Sequence, residues 1–451
     1  MIDLIIVGAG PGGYETALLA AKYGWSVVLI EQDKVGGVCL QAGCIPTKNY
    51  YHSAMLLRDV QQAEPFGISV SEVCFSYEKM KHHKDEVVQK LTKNIEIELQ
   101  KTGVHLVFGK ASLLGPHTVQ VGEISYQGRY IILATGSTPK RLDIPGIDLP
   151  GVMNSTQLLQ LDVLPQRMAI IGGGVIGCEF ASIYASLGSQ ITLIEWLPGI
   201  LPQIDEEVSK RLLMAFRKER IQVQTNTGVE AISLSGEGLI LNLQTRSGEK
   251  KEISVDAVLL SVGRLPNVEW LSNSPVTLER NEQGGIRVDG WGKTSVPSIY
   301  AIGDLCGGWM LAHAATYQGR KAFFHMANYP NEIDLQYTPS AIFTFPPVAM
   351  IGKTEQMVRG ENYSVFKSLY ASNGIAQANE TTFGFVKLIV SSENKLIGAH
   401  IIGANAPDLI GELTLAVQRQ LTLTELQPII HPHPTLSEIV QDAIHQYKQK
   451  N

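Results

Sequence analysis

The hydrophobic positions of the chain follow one pattern twice, at residues 4–32 and 168–196. In each copy a short apolar run leads into a glycine-rich turn, then a segment of helical pattern, then a second apolar run that ends in glutamate. The two copies match at 11 of 29 positions without a gap. Continuous apolar runs indicate strands that are buried on both faces of a parallel sheet. The pattern therefore predicts two β-α-β units.

The turns of both copies have the spacing G-x-G-x-x-G, and a glutamate closes each second strand. The residues are Gly8, Gly10, Gly13 and Glu31 in the first copy, and Gly172, Gly174, Gly177 and Glu195 in the second. Small residues let the backbone approach a pyrophosphate at a helix N-terminus, where unpaired N–H groups favour anions. The glutamate accepts hydrogen bonds from a ribose diol. One such turn would be weak support, since glycines often precede helices, but two complete units predict two dinucleotide sites that exchange electrons.

The residues around Glu195 bear on which nicotinamide dinucleotide the second site takes. A carboxylate at this position repels the 2′-phosphate of NADP, and no Lys or Arg follows it until Lys210. The sequence therefore favours NAD over NADP.

Composition narrows the class of protein. The length of 451 residues suggests about three domains, and 44% apolar with 18% charged residues is typical of a globular protein. A net charge of −6 gives no basic surface for nucleic acid or an anionic membrane. No apolar run reaches the ~20 residues that span a bilayer. Residues 1–8 lack a basic leader, so we expect a cytoplasmic protein without a membrane span.

Two of the five cysteines, Cys39 and Cys44, lie five residues apart in the segment GGVCLQAGCIPTK. They are close enough for a disulfide if the local helix is distorted. Buried structural thiols are the usual alternative in a cytosolic chain, while a metal site lacks further ligands nearby. Because the pair follows Glu31, we expect it beside the first dinucleotide site, where a dithiol can pass on two electrons. Cys74, Cys178 and Cys306 have no such spacing.

The segment around the two cysteines resembles the redox-active disulfide motif of the flavoprotein disulfide reductases. The resemblance continues along essentially the whole chain, at Ala134-Thr135-Gly136, at residues 261–267 (SVGRLPN), at residues 298–304 (SIYAIGD), at residues 343–347 (FTFPP) and at residues 431–438 (HPHPTLSE). It implies an α/β fold with two Rossmann-like dinucleotide-binding domains, one for FAD and one for NAD, and a C-terminal α+β dimerisation domain.

The positions of these motifs set the expected domain boundaries. Residues 1–146 and 264–335 form a discontinuous FAD-binding domain, residues 147–263 the NAD-binding domain, and residues 336–451 the interface domain. Within the interface domain, the segments FGFVKLIVS and LIGAHIIG are predicted strands.

The resemblance also implies roles for individual residues. Cys39 is the outer sulfur that meets the substrate, Cys44 is the inner sulfur beside the flavin, His433 is the base and Glu438 is its orienting carboxylate. An imidazole suits the role because it titrates near neutrality and can take a proton from a thiol. No metal is expected. Further cofactor-binding residues are Lys48, Thr135, Gly136, Glu179, Gly263, Asp304 and Ala312, and Lys48 is expected to pair with Glu179.

Within this family, the motifs look most like those of enzymes that oxidise dihydrolipoyl groups. The expected partner is a lipoyl-bearing protein of a 2-oxoacid dehydrogenase complex or a similar carrier. A homodimer is expected, because in relatives the base comes from the other subunit. The alternatives are another disulfide reductase of the family, acting on a glutathione-like or other low-molecular-weight disulfide, and a flavin-binding redox scaffold without turnover. A scaffold is disfavoured because both thiols, the base and the acid are all present.

Overall fold

Both predicted β-α-β units form in the structure, a computed structural model that describes residues 1–236 and 238–448. In each unit the two strands are parallel and lie side by side. The first unit consists of strand Ile2–Val7, helix Pro11–Lys22 and strand Val27–Glu31, and the second of strand Arg167–Ile171, helix Val175–Ser186 and strand Gln190–Ile194. The apolar runs and the glycine turn between them therefore predicted both units correctly.

The first unit lies in a seven-stranded sheet whose parallel part holds the N-terminal strand at its centre. The parallel strands are, in order, His105–Phe108, Val27–Glu31, Ile2–Val7, Ile124–Leu133 and Ile299–Ala301. Strands Thr118–Val121 and Ala111–Gly115 continue the sheet in antiparallel fashion. Because strand Ile299–Ala301 joins from far along the chain, residues 302–312 come to the same sheet edge as the first glycine turn.

The second unit lies in a five-stranded parallel sheet. Its strands are, in order, Gln222–Gln224, Gln190–Ile194, Arg167–Ile171, Ala257–Leu260 and Val152–Asn154. A separate antiparallel sheet follows, with strands Thr227–Ser235, Gly238–Thr245 and Lys250–Val255. Strand Ser137–Pro139 pairs antiparallel with Arg264–Pro266. The segment that leaves the first sheet therefore pairs with the segment that leaves the second sheet.

The C-terminal part of the chain forms an antiparallel sheet of five strands. Their order is Ser340–Ile342, Val348–Gly352, Leu396–Ile402, Phe385–Ser391 and Tyr363–Leu369. The two strands predicted from FGFVKLIVS and LIGAHIIG are its buried centre. The predicted α/β fold class with a C-terminal α+β part is confirmed, while the residue numbers of the domain boundaries stay a prediction.

The remaining helices connect or cover these sheets. The α-helices are Gly37–Ala42, Cys44–Gln61, Tyr77–Lys101, Ser155–Leu158, Glu206–Lys218, Ala312–Met326, Gly374–Ala378, Ala406–Gln418, Leu423–Leu426 and Glu438–His445. Short 3-10 turns are Glu64–Phe66, Glu269–Leu271, Gly303–Cys306, Leu335–Tyr337, Glu355–Val358 and Tyr370–Ser372. Within residues 1–236 and 238–448, no helix has both the length and the apolar character needed to cross a membrane.

A buried charge cluster joins the C-terminal sheet to the helix Glu206–Lys218. Lys387, whose side chain is 1% exposed, donates to the Asp205 carboxylate at 2.9 Å and also pairs with Glu355. Asp205 caps the helix by accepting from the N–H of Glu207 at 3.1 Å. Burial opposes the charge of Lys387, but the carboxylates of Glu355 and Asp205 outweigh burial and raise its pKa. The cluster therefore depends on every member staying charged.

We predict that Asp205→Ala destabilises the protein, because it removes the helix cap and leaves part of the Lys387 charge uncompensated. Breaking a buried ion pair costs about 3 kcal/mol, which corresponds to a fall of roughly 3 °C in the thermal unfolding midpoint of a chain of this size. Asp162→Ala is the control, since Asp162 pairs with Lys81 while its side chain is 87% exposed. Calorimetry of the two variants that finds equal midpoints would contradict this account.

Candidate active site

The two glycine turns have the same geometry. Gly8 and Gly172 have φ values of +103° and +109°, a left-handed conformation that favours glycine. A Cβ at Gly13 would overlap the carbonyl oxygen of Gly8, and a Cβ at Gly177 would overlap that of Gly172. Gly10 and Gly174 are the N-caps of the two following helices, with no side chain over the helix end. Each turn thus leaves backbone N–H groups open to an anion.

The two glutamates occupy matching positions beside these turns. Glu31 Oε2 accepts from the N–H of Ala9 at 2.8 Å, and Glu195 Oε2 accepts from the N–H of Gly173 at 2.6 Å. The other oxygens accept from the N–H groups of Asp33 and Leu197, at 3.0 and 2.7 Å. A carboxylate has about four acceptor positions, so each glutamate is fixed in place and can still accept hydrogen bonds from a ribose diol.

Residues that follow the neighbouring strand close each turn in the same way. A Cβ at Gly8 would overlap the carbonyl oxygen of Ala134, and one at Gly172 would overlap that of Ser261. Thr135 and Gly136 therefore lie against the first turn, and Val262 and Gly263 against the second. The sequence comparison of the two units did not reveal this, because Ala134-Thr135-Gly136 and Ser261-Val262-Gly263 share only their last residue.

The cysteine pair lies against the first glycine turn. The N–H of Gly36 donates to the carbonyl of Ala9 at 2.8 Å. At Gly37, where φ is +58°, a Cβ would lie 2.7 Å from the Cα of Gly10. Two glycines in contact therefore bring the helix Gly37–Ala42 directly onto the turn. The expectation that the dithiol lies beside the first dinucleotide site agrees with this contact.

A break in the helix brings the two sulfur atoms together. Helix Gly37–Ala42 ends at Gly43, where φ is −142° and ψ is −110°, and a new helix starts at Cys44. A Cβ at Gly43 would lie 2.8 Å from the carbonyl oxygen of Val38. This is the local distortion that the spacing of Cys39 and Cys44 requires.

Cys39 and Cys44 are both free thiols here, and a hydrogen bond between their side chains separates their acidities. The hydrogen bond from Cys39, aided by the charge of Lys48, lowers the pKa of Cys44 to about 7 although burial opposes it. The same hydrogen bond, together with burial and the Cys44 charge, raises the pKa of Cys39 well above its usual range. Cys44 also occupies the first position of its helix, where a thiolate is favoured. The environment of the pair therefore favours the proton on Cys39 and the negative charge on Cys44.

Lys48 links this thiolate to two other parts of the chain. Its Nζ donates to Glu179 Oε2 at 2.7 Å and to Oε1 at 2.9 Å, which is the expected pairing. Glu179, on the helix of the second unit, also accepts from the N–H of Phe343 at 2.9 Å. Lys48 Nζ lies 4.6 Å from the centre of the Phe343 ring. One ammonium group is thereby held near Cys44 by residues from both the second unit and the C-terminal region.

Asp304 lies in the turn Gly303–Cys306 that follows strand Ile299–Ala301. Its Oδ2 accepts from the Ser137 hydroxyl at 2.5 Å, and Ser137 in turn accepts from Arg264 Nε at 2.7 Å. Ala312 is the first residue of the helix Ala312–Met326. The role of Ser137 was missed by the sequence analysis, and Arg264 appeared there only as part of a motif. Ser137 and Arg264 lie 127 residues apart in the sequence, and a local pattern does not show a contact over that separation.

His433 and Glu438 form a pair away from the cysteines. His433 Nδ1 lies 2.9 Å from Glu438 Oε1, and the other oxygen accepts from the N–H of Thr435 at 2.8 Å. The hydrogen bonds from Thr435 and His433 lower the pKa of Glu438. The His433 side chain is 81% exposed. Among the described residues, no hydrogen bond joins it to Cys39 or Cys44, so one chain alone does not bring the base and the dithiol together.

The model of the pyridine nucleotide-disulphide oxidoreductase family matches residues 2–319 of this chain. The model of that family's dimerisation domain matches residues 338–444. Together the two cover nearly all of the sequence.

Three similar proteins are dihydrolipoyl dehydrogenases. Those of Chlamydia pneumoniae and Geobacillus stearothermophilus are 38% and 35% identical over 97% and 98% of this chain, each across 95% of the relative. The mitochondrial enzyme of Pisum sativum is 34% identical over 98% of this chain and 90% of its own length.

Among solved structures, LpdA from Mycobacterium tuberculosis superposes with a TM-score of 0.91 at 25% identity, covering 99% of both chains. The HOCl-induced flavoprotein disulfide reductase RclA from Escherichia coli superposes with a TM-score of 0.88 at 28% identity. The match covers 99% of this chain and all of the other.

We predict that Lys48→Ala raises the pH at which the Cys44 thiolate forms. Removing a positive charge within a few ångströms of a thiolate shifts its titration to a pH about one unit higher. The measurement is the thiolate absorbance in the ultraviolet during a pH titration of the reduced protein. Lys34→Ala is the matched control, since Lys34 is an exposed lysine in the same segment. A midpoint near 7 in both variants would show that Lys48 does not stabilise the thiolate.

Proposed function

Because this chain belongs to the pyridine nucleotide-disulphide oxidoreductase family, we propose that it oxidises dihydrolipoyl groups and passes their electrons to NAD, the reaction of a dihydrolipoyl dehydrogenase. The observation that carries this proposal is the Cys39–Cys44 pair beside the first glycine turn, in a chain that aligns over 97–98% of its length with enzymes of that name.

FAD and NAD are the cofactors of this enzyme, and the two glycine turns fit them. Each turn combines an open helix N-terminus, glycines whose side-chain positions are filled by backbone atoms, and a fixed glutamate acceptor. FAD belongs in the first turn, against which the helix that carries Cys39 rests, and Asp304 and the N-terminus of helix Ala312–Met326 lie at the same sheet edge. NAD belongs in the second turn, with Glu195 at the ribose. When bound, FAD would supply two-electron redox chemistry between the dithiol and the nicotinamide of NAD.

The thiol chemistry begins with the oxidised enzyme, in which Cys39 and Cys44 form a disulfide. A dihydrolipoyl thiolate attacks the sulfur of Cys39, so a mixed disulfide forms and the Cys39–Cys44 bond breaks. Cys44 leaves as a thiolate, which the lowered pKa of about 7 favours. The second substrate thiol then attacks the mixed disulfide, which closes the lipoyl disulfide and releases Cys39. The proton of this second thiol passes to Cys39, so two electrons and one proton remain on the enzyme dithiol, and both cysteines are free, as they are in the structure.

His433 serves as the base that removes the proton from the substrate thiol, because only the thiolate is nucleophilic. Glu438 holds the imidazole through Nδ1 and leaves Nε2 free for this proton. The exposure of His433, 81% in one chain, fits a base that reaches the dithiol of a second copy. A homodimer built through the region that the dimerisation model matches is therefore part of the proposal.

The partner in the proposal is a lipoyl-bearing protein of a 2-oxoacid dehydrogenase complex or a similar carrier. A cytoplasmic site of action also belongs to the proposal. The chain has only five cysteines in 451 residues, and the dithiol must pass through its reduced form. Reducing compartments favour that form.

Turnover by the purified, flavin-loaded protein tests the proposal. We expect rapid reduction of NAD by dihydrolipoamide and much slower reduction of NADP. Cys39→Ser and Cys44→Ser each lower this rate at least about a thousandfold, because neither can form the disulfide. Cys74→Ser, at an exposed cysteine, keeps the wild-type rate. Full activity of Cys44→Ser would refute the thiol mechanism, and reduction of glutathione disulfide in place of lipoamide turnover would refute the substrate.

We also expect Glu438→Gln to lower kcat, because the amide stabilises an imidazolium less well than a carboxylate does. Acid–base catalysis contributes about 10²–10⁴-fold, so a loss of roughly tenfold to a hundredfold is expected for the orienting group alone. His82→Gln provides a comparison, since His82 is exposed on the helix Tyr77–Lys101. Steady-state kinetics with dihydrolipoamide measures kcat of both variants. An unchanged kcat in Glu438→Gln would exclude the orienting role.

A further inference from the structure

An exposed tryptophan follows the ribose-binding glutamate of the second turn. Trp196 comes directly after Glu195 and its residue surface is 55% exposed. A Cβ at Gly228 would lie 3.1 Å from the Trp196 ring, so this position leaves room for the indole. The Glu195 backbone is fixed as well, because its carbonyl accepts from the N–H of Thr227 at 3.0 Å. The indole therefore presents a fixed aromatic surface beside Glu195.

A cation lies over part of this indole and leaves the rest exposed. The guanidinium carbon of Arg246 lies 4.8 Å from the centre of the Trp196 ring. Arg246 belongs to the turn between strands Gly238–Thr245 and Lys250–Val255, 50 residues farther along the chain. Its N–H donates to the carbonyl of Asn226 at 2.8 Å, and the N–H of Asn226 donates to that of Leu197 at 3.0 Å. These two hydrogen bonds hold the turn next to the residues that follow Glu195.

In the part of the chain that the structure describes, the positive charge of Arg246 has no ion-pair partner. Within residues 1–236 and 238–448, no carboxylate lies within ion-pair distance of its guanidinium, whereas Lys250 in the next strand pairs with Glu230 at 3.2 Å. The sequence argument for NAD combined the Glu195 carboxylate with the absence of a basic residue between Glu195 and Lys210. The fold adds a basic residue from a distant hairpin, which that argument did not include.

We propose that Trp196 and Arg246 form the adenosine end of the second dinucleotide site, with Trp196 as a stacking surface for the adenine and Arg246 as a cation that attracts a phosphate on the adenosine ribose. This inference rests on the proposed function, which places NAD at the second turn. Glu195 favours NAD through its repulsion of a 2′-phosphate, and Arg246 partly offsets that repulsion. The enzyme therefore discriminates against NADP less strongly than the carboxylate alone would.

The test is calorimetric binding of adenosine fragments to the oxidised, flavin-loaded enzyme, so that its readout does not depend on turnover. The probes are 5′-AMP and 2′,5′-ADP, which differ by the 2′-phosphate. Removing one nearby cation in Arg246→Gln weakens binding of 2′,5′-ADP about tenfold and that of 5′-AMP less than threefold. Trp196→Leu weakens both ligands alike, by about fivefold or more. Lys251→Gln, which removes an exposed charge from the same hairpin, changes neither.

The outcomes separate this inference from the proposed function. If the wild-type enzyme binds neither fragment, the second turn is not a dinucleotide site, and both the NAD assignment and this inference fail. If it binds them but Arg246→Gln weakens both equally or neither, only the role of Arg246 is wrong. A selective loss of 2′,5′-ADP affinity in Arg246→Gln, absent in Lys251→Gln and reduced at high ionic strength, supports it.

Discussion

The contact between Gly37 and Gly10 fixes the position of the redox centre. A Cβ at Gly37 would lie 2.7 Å from the Gly10 Cα, so the helix that carries Cys39 can rest on the first glycine turn only because Gly37 has no side chain. The turn is in turn fixed by the parallel strands on either side of it. Because of this contact, the dithiol lies next to the site that the turn forms, and electrons need not pass through intervening protein.

The groups around Cys44 stabilise its thiolate once packing has placed the dithiol. The thiolate of Cys44 is stabilised by the hydrogen bond from Cys39, by Lys48 and by its place at a helix N-terminus. Lys48 is oriented by Glu179, and Glu179 is held by the backbone of Phe343. These residues come from the two helices that follow the first β-α-β unit, from the second unit and from the C-terminal region. The acidity of one thiol therefore depends on how three parts of the chain pack together. A stabilised leaving thiolate is what exchange with a dithiol substrate requires.

Local sequence patterns were a good guide to the fold and to the chemistry of each turn. The apolar runs predicted both β-α-β units. The glycine spacing predicted two turns, and their φ values at Gly8 and Gly172 agree within a few degrees. Local patterns did not show contacts between distant segments, and the pairing of Lys48 with Glu179 was expected only from the family resemblance. The link from Arg264 through Ser137 depends on how the chain returns to the first sheet, and the cation beside Trp196 comes from a hairpin. His433 pairs with Glu438 within one short segment, and among the described residues no hydrogen bond joins His433 to either thiol.

The central claim is that substrate electrons enter through Cys39 and Cys44. The most direct test is anaerobic addition of one equivalent of dihydrolipoamide to the oxidised, flavin-loaded enzyme, followed by iodoacetamide and mass spectrometry of the cysteine peptides. The account predicts that Cys39 and Cys44 are unlabelled before the addition and become alkylated after it, while labelling of the other three cysteines does not change. Reduction of the flavin with Cys39 and Cys44 still unlabelled would contradict it.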